Sequence, residues 1–233
     1  MRVAKFIASS GVCSRRQAEK LIEQGVVSID GKIITSPAVG ISSDNIVTVN
    51  GKKLDHIPLP RLWLYYKPVG LITTHNDPQG RKTVFESLAD KLPRVISVGR
   101  LDINSEGLLL LTNSGEVSRY FESPQNRIER IYKVRVFGKG RALDFDNQKI
   151  EIDGVKYHPK SIKQLQKTGA NSWYEVVLTE GKNREIRRIF EYFGFEVSRL
   201  IRTNFGSYSL GNLKPGEFKE VKLDENYCRK TQE

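Results

Sequence analysis

Apolar and polar positions in the first fifty residues follow a helical rhythm and then a stranded one. In residues 2–9 (RVAKFIAS), Val3, Phe6 and Ile7 recur at helical spacing, and Gly11 stops the run. A second helix is predicted from Ser14, where Ser14 and Gln17 make an S-x-x-Q capping box. Ala18, Leu21 and Ile22 mark its buried face and Gly25 supplies its C-terminal cap. Arg16 and Lys20 stand four apart on the opposite face, with Arg15 nearby. Val26–Ile29, an Asp30-Gly31 turn and Lys32–Ile34 then form a predicted hairpin, and Ile46–Val49 runs into a further turn at Asn50-Gly51.

Residues 55–61 (DHIPLPR) carry two prolines in seven residues and read as a linker. From Leu62 the pattern mixes strands and helices without regular alternation, which predicts an α+β layout around a largely antiparallel sheet. Strands are expected at Leu62–Tyr66, Ile96–Val98, Leu108–Leu111, Ile131–Phe137 and Trp173–Thr179, and helices at Val84–Leu88, Glu116–Phe121 and Arg184–Phe193. Residues 226–233 read as a polar tail. The expected organisation is therefore a small basic module over 1–54, the linker, a larger domain over 62–225, and the tail.

Charge narrows the partner. Lys and Arg number 38 against 27 Asp and Glu, a net charge of +11, with 38% hydrophobic residues. Such an excess favours a polyanion, most simply nucleic acid. An anionic membrane surface would also suit it, but no apolar run spans a bilayer and no lipidation motif is present. A signal peptide is not evident, so the expectation is a cytoplasmic protein. Cys13 and Cys228 lie far apart, without CxxC spacing, and fit a reducing compartment. His56, His75 and His158 are scattered, and the HxE…PCxxC signature of zinc-dependent base deaminases is missing. The chemistry is expected to need neither metal nor other cofactor.

Three segments carry candidate chemistry. In SVGRLDINSEGLLLLTNSG (97–115), Asp102 follows a short apolar strand and precedes a loop broken by Gly107 and a buried leucine strand. Functional carboxylates are often held on such loops, although an ordinary loop or cap aspartate fits the spacing as well. Glu106 lies near enough in sequence to suggest a carboxylate pair, with nothing to fix their separation. In ERIYKVRVFG (129–138), Tyr132, Val134 and Val136 share one face of a strand and Lys133 and Arg135 the other. In TEGKNREIRRIFEYFGFEVSRLIR (179–202), Ile186, Ile189, Phe190 and Phe193 make a core stripe. Arg184 and Arg188 project away from it, while Arg187 lies at its edge and could reach inward.

The N-terminal RVAKFIASSGVCSRRQAEKLIEQGVVSIDGK resembles the S-four-like RNA-binding domain, with its basic helix and hairpin in the places that family has them. In order and spacing, the three later segments resemble the RsuA/RluB family of ribosomal RNA pseudouridine synthases. LYYKPVGLITTHNDPQGRKTVFE, WYEVVLTEGKNREIRRIFE and VSRLIRTNFG are similar to its RluB branch, which acts on large-subunit 23S rRNA. Ser114 and Thr203-Asn204 depart from the family pattern. The resemblance implies that Asp102 is the catalytic aspartate, attacking uridine at C6 or C1′ or otherwise assisting glycosidic cleavage. Arg187 would pair with it, Tyr132 would pack on the target base, and Leu200 would be an apolar pocket residue. Arg100 would fill the space left by the flipped nucleotide. Arg15, Arg16 and Lys20, with Arg184, Arg188 and Arg202, would contact phosphates. It implies rRNA as partner to a monomer. A non-catalytic RNA-binding or assembly factor, and a sister synthase acting on small-subunit rRNA, are the competing readings.

Overall fold

The computed structural model describes residues 1–54 and 57–230. The chain opens with helices α1 (Val3–Ser9) and α2 (Arg15–Glu23), and strands β1 (Val27–Ile29), β2 (Lys32–Ile34), β3 (Val47–Val49) and β4 (Lys52–Lys53). The predicted capping box is formed in full: the Ser14 hydroxyl accepts the Gln17 amide, and the Gln17 side chain accepts the Ser14 amide. The strands pair in the order β2-β1-β3-β4, all antiparallel. Val3, Ile7, Ala18, Ile22, Val27 and Val47 share one small core, so the periodicity read from the sequence is the packing that exists. A Lys5–Glu116 ion pair of 2.7 Å bridges this unit to the remainder of the chain.

The larger part contains β5 (Leu62–Lys67), β6 (Ile96–Val98), β7 (Glu106–Thr112), α3 (Gly115–Glu122), β8 (Arg130–Gly138), β9 (Phe145–Asp146), β10 (Ile150–Ile152) and β11 (Val155–Tyr157). It continues through β12 (Ser161–Thr168), β13 (Asn171–Leu178), α4 (Glu185–Tyr192), β14 (Phe195–Phe205), β15 (Tyr208–Ser209), β16 (Phe218–Val221) and α5 (Glu225–Lys230). One sheet of ten strands runs β16-β5-β7-β14-β8-β13-β12-β9, with β15 and β6 paired to β14 and β7. It is antiparallel except where β14 runs parallel to β7. The fold is thus α+β on a mostly antiparallel sheet. Both faces of β5 and β7 are buried along their lengths, as their near-continuous apolar runs require. On β8, Tyr132, Val134 and Val136 are buried while Lys133 and Arg135 are exposed, the alternation expected of a strand covered on one face.

Four expectations change. Val84–Leu88 holds only a single 3₁₀ turn, Glu86–Leu88, closed by reciprocal Thr83–Glu86 hydrogen bonds. Gly107 lies inside strand β7 rather than in a loop. Its φ is +102°, and an added Cβ would overlap the Arg202 carbonyl on β14, so only glycine allows these two strands to approach. The eleven-residue β14 was not foreseen as a strand, because its arginines hide the alternation. Residues 226–230, read as the start of a polar tail, belong to α5, whose Tyr227 is buried and packs edge-on against Tyr120. Residues 55 and 56 of the linker and 231–233 of the tail lie outside the described residues.

Candidate active site

The sheet places β14 between β7 and β8, with Arg202 opposite both Gly107 and Tyr132, and Leu200 opposite Val134. Leu200 and Arg202, two apart, therefore turn to the side that Tyr132 and Val134 occupy. The loop 99–105 feeds β7, and α4 feeds β14, so both meet over this part of the sheet. Between them is a pocket of about 290 Å³, near the lower end of small-ligand sites. Arg100, Asp102, Tyr132, Arg184, Arg187, Leu200 and Arg202 line it. Arg188 does not: it is exposed and its guanidinium bonds the Tyr157 hydroxyl at 3.3 Å. Arg15, Arg16 and Lys20 are exposed on α2, outside the pocket wall.

The Asp102 loop is held by its backbone. Five consecutive carbonyls, of residues 101–105, each accept a hydrogen bond, in turn from the Thr73 hydroxyl, Lys67 Nζ, the Gly70 amide, Arg187 Nη2 and again Lys67 Nζ. Lys67 also donates to the Pro68 carbonyl, so one ammonium ties three backbone oxygens at 2.8–3.0 Å. It is wholly buried, and burial lowers its pKa to about 8, opposed by the charges of Asp102 and Glu106. The Gly99 amide donates to Glu122 at the loop entrance. Asp102 is thereby presented on a fixed backbone while its carboxylate stays partly open to the pocket.

Two arginine roles implied by the resemblance differ in the structure. Arg184, not Arg187, makes the ion pair with Asp102, Nη1 to Oδ2 at 3.9 Å. Arg184 caps α4 in the left-handed conformation, φ 51° and ψ 28°, so the 100° step of a helical wheel does not describe its direction. Arg187 reaches inward as expected, but its Nη1 and Nη2 donate to the Val197 and Asn104 carbonyls at 3.0 and 2.9 Å. Arg187 thus clamps the loop two residues beyond Asp102. Arg202 is corrected too: it is 2% exposed, its Nε donates to the Leu108 carbonyl, and its guanidinium lies over the Phe205 ring. It is no surface phosphate contact, because β14 turns it inward.

Glu106 makes no carboxylate pair with Asp102. It is buried, bonded by the Tyr66 hydroxyl at 2.8 Å and by Arg199 at 2.6 and 3.2 Å, and the Arg199 hydrogen bond lowers its pKa most. Lys67, Arg130 and Glu185 escaped the sequence reading. Lys67 sits in the quoted LYYKP run and Arg130 in ERIYKVRVFG, but nothing in either run marks a cation that will be buried. Arg130 bonds three carbonyls, of Ile128, Thr179 and Phe121. Glu185 lies two positions before Arg187, in the helix's first turn. Among the described residues no cluster of three or more His, Cys, Asp or Glu side chains could hold a metal ion, and no helix is long and apolar enough to cross a membrane.

A carboxylate on a pinned loop, facing an aromatic strand and an arginine-bearing helix, with a small basic domain ahead of them, is an arrangement shared with known enzymes. The chain belongs to the RNA pseudouridylate synthase family, which it matches over residues 61–192, and residues 1–47 match the S4 domain. It is therefore an RNA-binding isomerase that converts uridine to pseudouridine. Among particular relatives, it is 58% identical to an RNA pseudouridine synthase of Rickettsia felis, over 94% of this chain and 96% of that one. It is 40% identical to ribosomal large subunit pseudouridine synthase B of Haemophilus influenzae, over 98% of this chain and 67% of that one. A crystal structure of a pseudouridylate synthase, 28% identical, superimposes with a TM-score of 0.63 over 95% of this chain and 96% of the other.

Proposed function

We propose that the chain isomerises a uridine of large-subunit 23S rRNA, with Asp102 as its catalytic carboxylate. The observation that carries this reading is the loop: its carbonyls from 101 to 105 are all held, while the Asp102 side chain faces a pocket shared with Tyr132 and Leu200. The 23S address is supported by relatives in Haemophilus influenzae and Pasteurella multocida, 40% and 38% identical, both named ribosomal large subunit pseudouridine synthase B.

A uridine within folded RNA is out of reach, so it is first flipped into the pocket, at a cost of a few kcal/mol of unstacking. Phosphate contacts by the exposed Arg15, Arg16 and Lys20 of α2 and by Arg188 offset that cost. Arg100, exposed at the pocket rim, stands where it can fill the vacated stack. Tyr132 and Leu200 flank the base, and Asp102 bonds to the uridine at C6 or C1′, a bond that breaks again as the uracil is rejoined and frees the carboxylate. The N1–C1′ bond breaks, the freed uracil turns, and a C5–C1′ bond forms. C5 gives up its proton and N1 gains one, so atoms balance with no redox change.

Arg184 orients the carboxylate, weakly. At 4 Å and an effective dielectric of 20 the pair would be worth about 4 kcal/mol. Both partners are about half open to solvent, which reduces that to roughly 0–1 kcal/mol. The pair holds Asp102 in the free protein and yields readily when a substrate enters.

Carbodiimide labelling and primer extension on 23S rRNA treated with wild-type or Asp102→Ala protein test this reading. One new stop that needs Asp102 is expected. A stop on small-subunit rRNA instead moves the substrate and keeps the chemistry. Activity retained by Asp102→Ala overturns the assignment, and no modification of either RNA favours a non-catalytic binding factor.

A further inference from the structure

Glu185 and Arg202 stand in the pocket wall, and the reaction above gives neither a task. Each is 2% exposed. The Glu185 Oε2 accepts the Lys182 amide at 3.1 Å, and its Oε1 has no partner. The Arg202 Nε is committed to the Leu108 carbonyl at 2.7 Å, and its Nη2 has none. Among the described residues, three buried side-chain polar atoms lack a hydrogen bond, these two and Arg187 Nε, and all three belong to residues lining this pocket. The other buried side-chain nitrogens and oxygens among the described residues are satisfied, as is usual. An unpaired buried atom carries its full desolvation cost, so orphans collected at one pocket mark partners that arrive with a ligand.

Their chemistry names the ligand. Arg202 is the cross-strand neighbour of Tyr132, and both line the pocket together with Glu185 and Arg130. With Tyr132 on the face of a base, Glu185 and Arg202 meet its edge. Uracil presents an N3–H donor flanked by two carbonyl acceptors, whereas cytosine has a lone pair at N3. We propose that Glu185 and Arg202 form the base-reading end of the pocket, Glu185 Oε1 accepting N3–H of the flipped uracil and Arg202 Nη2 donating to an adjacent carbonyl. This rests on the uridine-isomerising reading and adds how the uracil is told from other bases. A site built to bond a polar group rejects analogues that lack it, because its own groups are then left unpaired.

The variant Glu185→Gln inverts the reading. The Lys182 amide will hold the glutamine oxygen, which turns the amide NH₂ towards the pocket and replaces the acceptor by a donor. The experiment is binding of mononucleotides to the full chain above pH 7, where the Glu185 carboxylate is ionised, followed by ligand-observed NMR. Uridine 5′-monophosphate is expected to bind wild-type protein about ten-fold or more tighter than its 3-methyl derivative or cytidine 5′-monophosphate. In Glu185→Gln the preference over 3-methyluridine disappears and cytidine binds better than uridine. Sulfur is a weak acceptor, so one of 2-thio- and 4-thiouridine monophosphate binds worse than the other, according to which carbonyl Arg202 reads.

Wild-type protein that binds all three nucleotides alike, or binds uridine monophosphate not at all, overturns the proposal without any variant having to fold. A uridine preference retained by Glu185→Gln removes Glu185, and equal binding of the two thiouridines removes Arg202. Binding needs no turnover, so the two readings fail separately. Uridine preference without rRNA modification faults the substrate assignment, and rRNA modification without uridine preference faults the base reading.

Discussion

The two walls of the pocket are built on opposite principles. The backbone of the Asp102 loop is saturated from 101 to 105: its carbonyls are bonded by Lys67, Thr73, Gly70 and Arg187, which leaves the Asp102 carboxylate as the polar group that segment offers to the pocket. The α4–β14 wall is unsaturated, with Glu185, Arg187 and Arg202 each holding back a polar atom. One wall fixes a reactive group before substrate arrives, where a misplacement of about 1 Å can cost a hundred-fold. The other keeps unpaired groups in a dry place, where hydrogen bonds to a base count for most. On the proposed reading, the difference teaches that chemistry and recognition in this pocket are served by separate elements.

That separation can be broken one wall at a time. The largest effect is expected from Asp102→Ala, which lowers turnover in the rRNA assay by about a thousand-fold or more. Its half-open side chain bears no fold, so the unfolding midpoint stays within about 0.5 kcal/mol of wild type. Next comes Lys67→Met, which removes three carbonyl contacts at once. Denaturant unfolding is expected to show a loss of about 2–4 kcal/mol, with single-turnover rates falling about a hundred-fold as the loop loosens.

On the unsaturated wall the expected signal is a pH dependence. Burial raises the Glu185 pKa from 4.5 to about 7, with Glu180 adding to the rise and the Lys182 amide, Lys182 and Arg130 opposing it. Between those values the folded protein retains a proton that the unfolded chain has released. Stability is therefore lost as pH rises from 4.5 to 7, on the order of 3 kcal/mol at about 1.4 kcal/mol per unit. Unfolding of Glu185→Gln across this range should lack that part of the slope, and an unchanged slope would place the titration elsewhere. Arg184→Ala sharpens the comparison from below, since its exposed pair with Asp102 should contribute less than about 1 kcal/mol to stability. The smallest change per residue is expected on α2, where replacing Arg15, Arg16 and Lys20 by Ala should reduce the log-log salt slope of RNA binding by about 2–3.

Much of the frame was legible because local chemistry dictated it. The capping box at Ser14, the Asp30-Gly31 hairpin, the leucine strand and the alternation around Tyr132 all stand where pattern placed them. Strand β14 was not legible, since its period is carried by an arginine at position 202 that counts as polar in sequence and is buried in the fold. The wheel set Arg187 inward, as found, and its pairing with Asp102 was implied by the resemblance alone; only the direction of Arg184 was lost to the wheel. A wheel assumes helical φ and ψ, and Arg184 has neither. Tyr227 was lost in a polar stretch because one buried ring leaves no periodicity to read.

The family resemblance, not spacing, singled out Asp102, Tyr132 and Leu200; by itself the sequence determined the α+β class, the helices and strands with clean periodicity, and the basic surface. Such properties depend on spacing along the chain, which a sequence states directly. Only the tertiary structure decided which cation meets which oxygen: Lys67 under the loop, Arg187 on Asn104, Arg184 on Asp102, Arg199 on Glu106. Those partners lie tens of residues apart. A long charged side chain has the same local propensities whether it ends in water, on a carbonyl or in an unfilled pocket. Burial and the neighbours it supplies make that choice, and they exist only once the sheet has closed over Gly107.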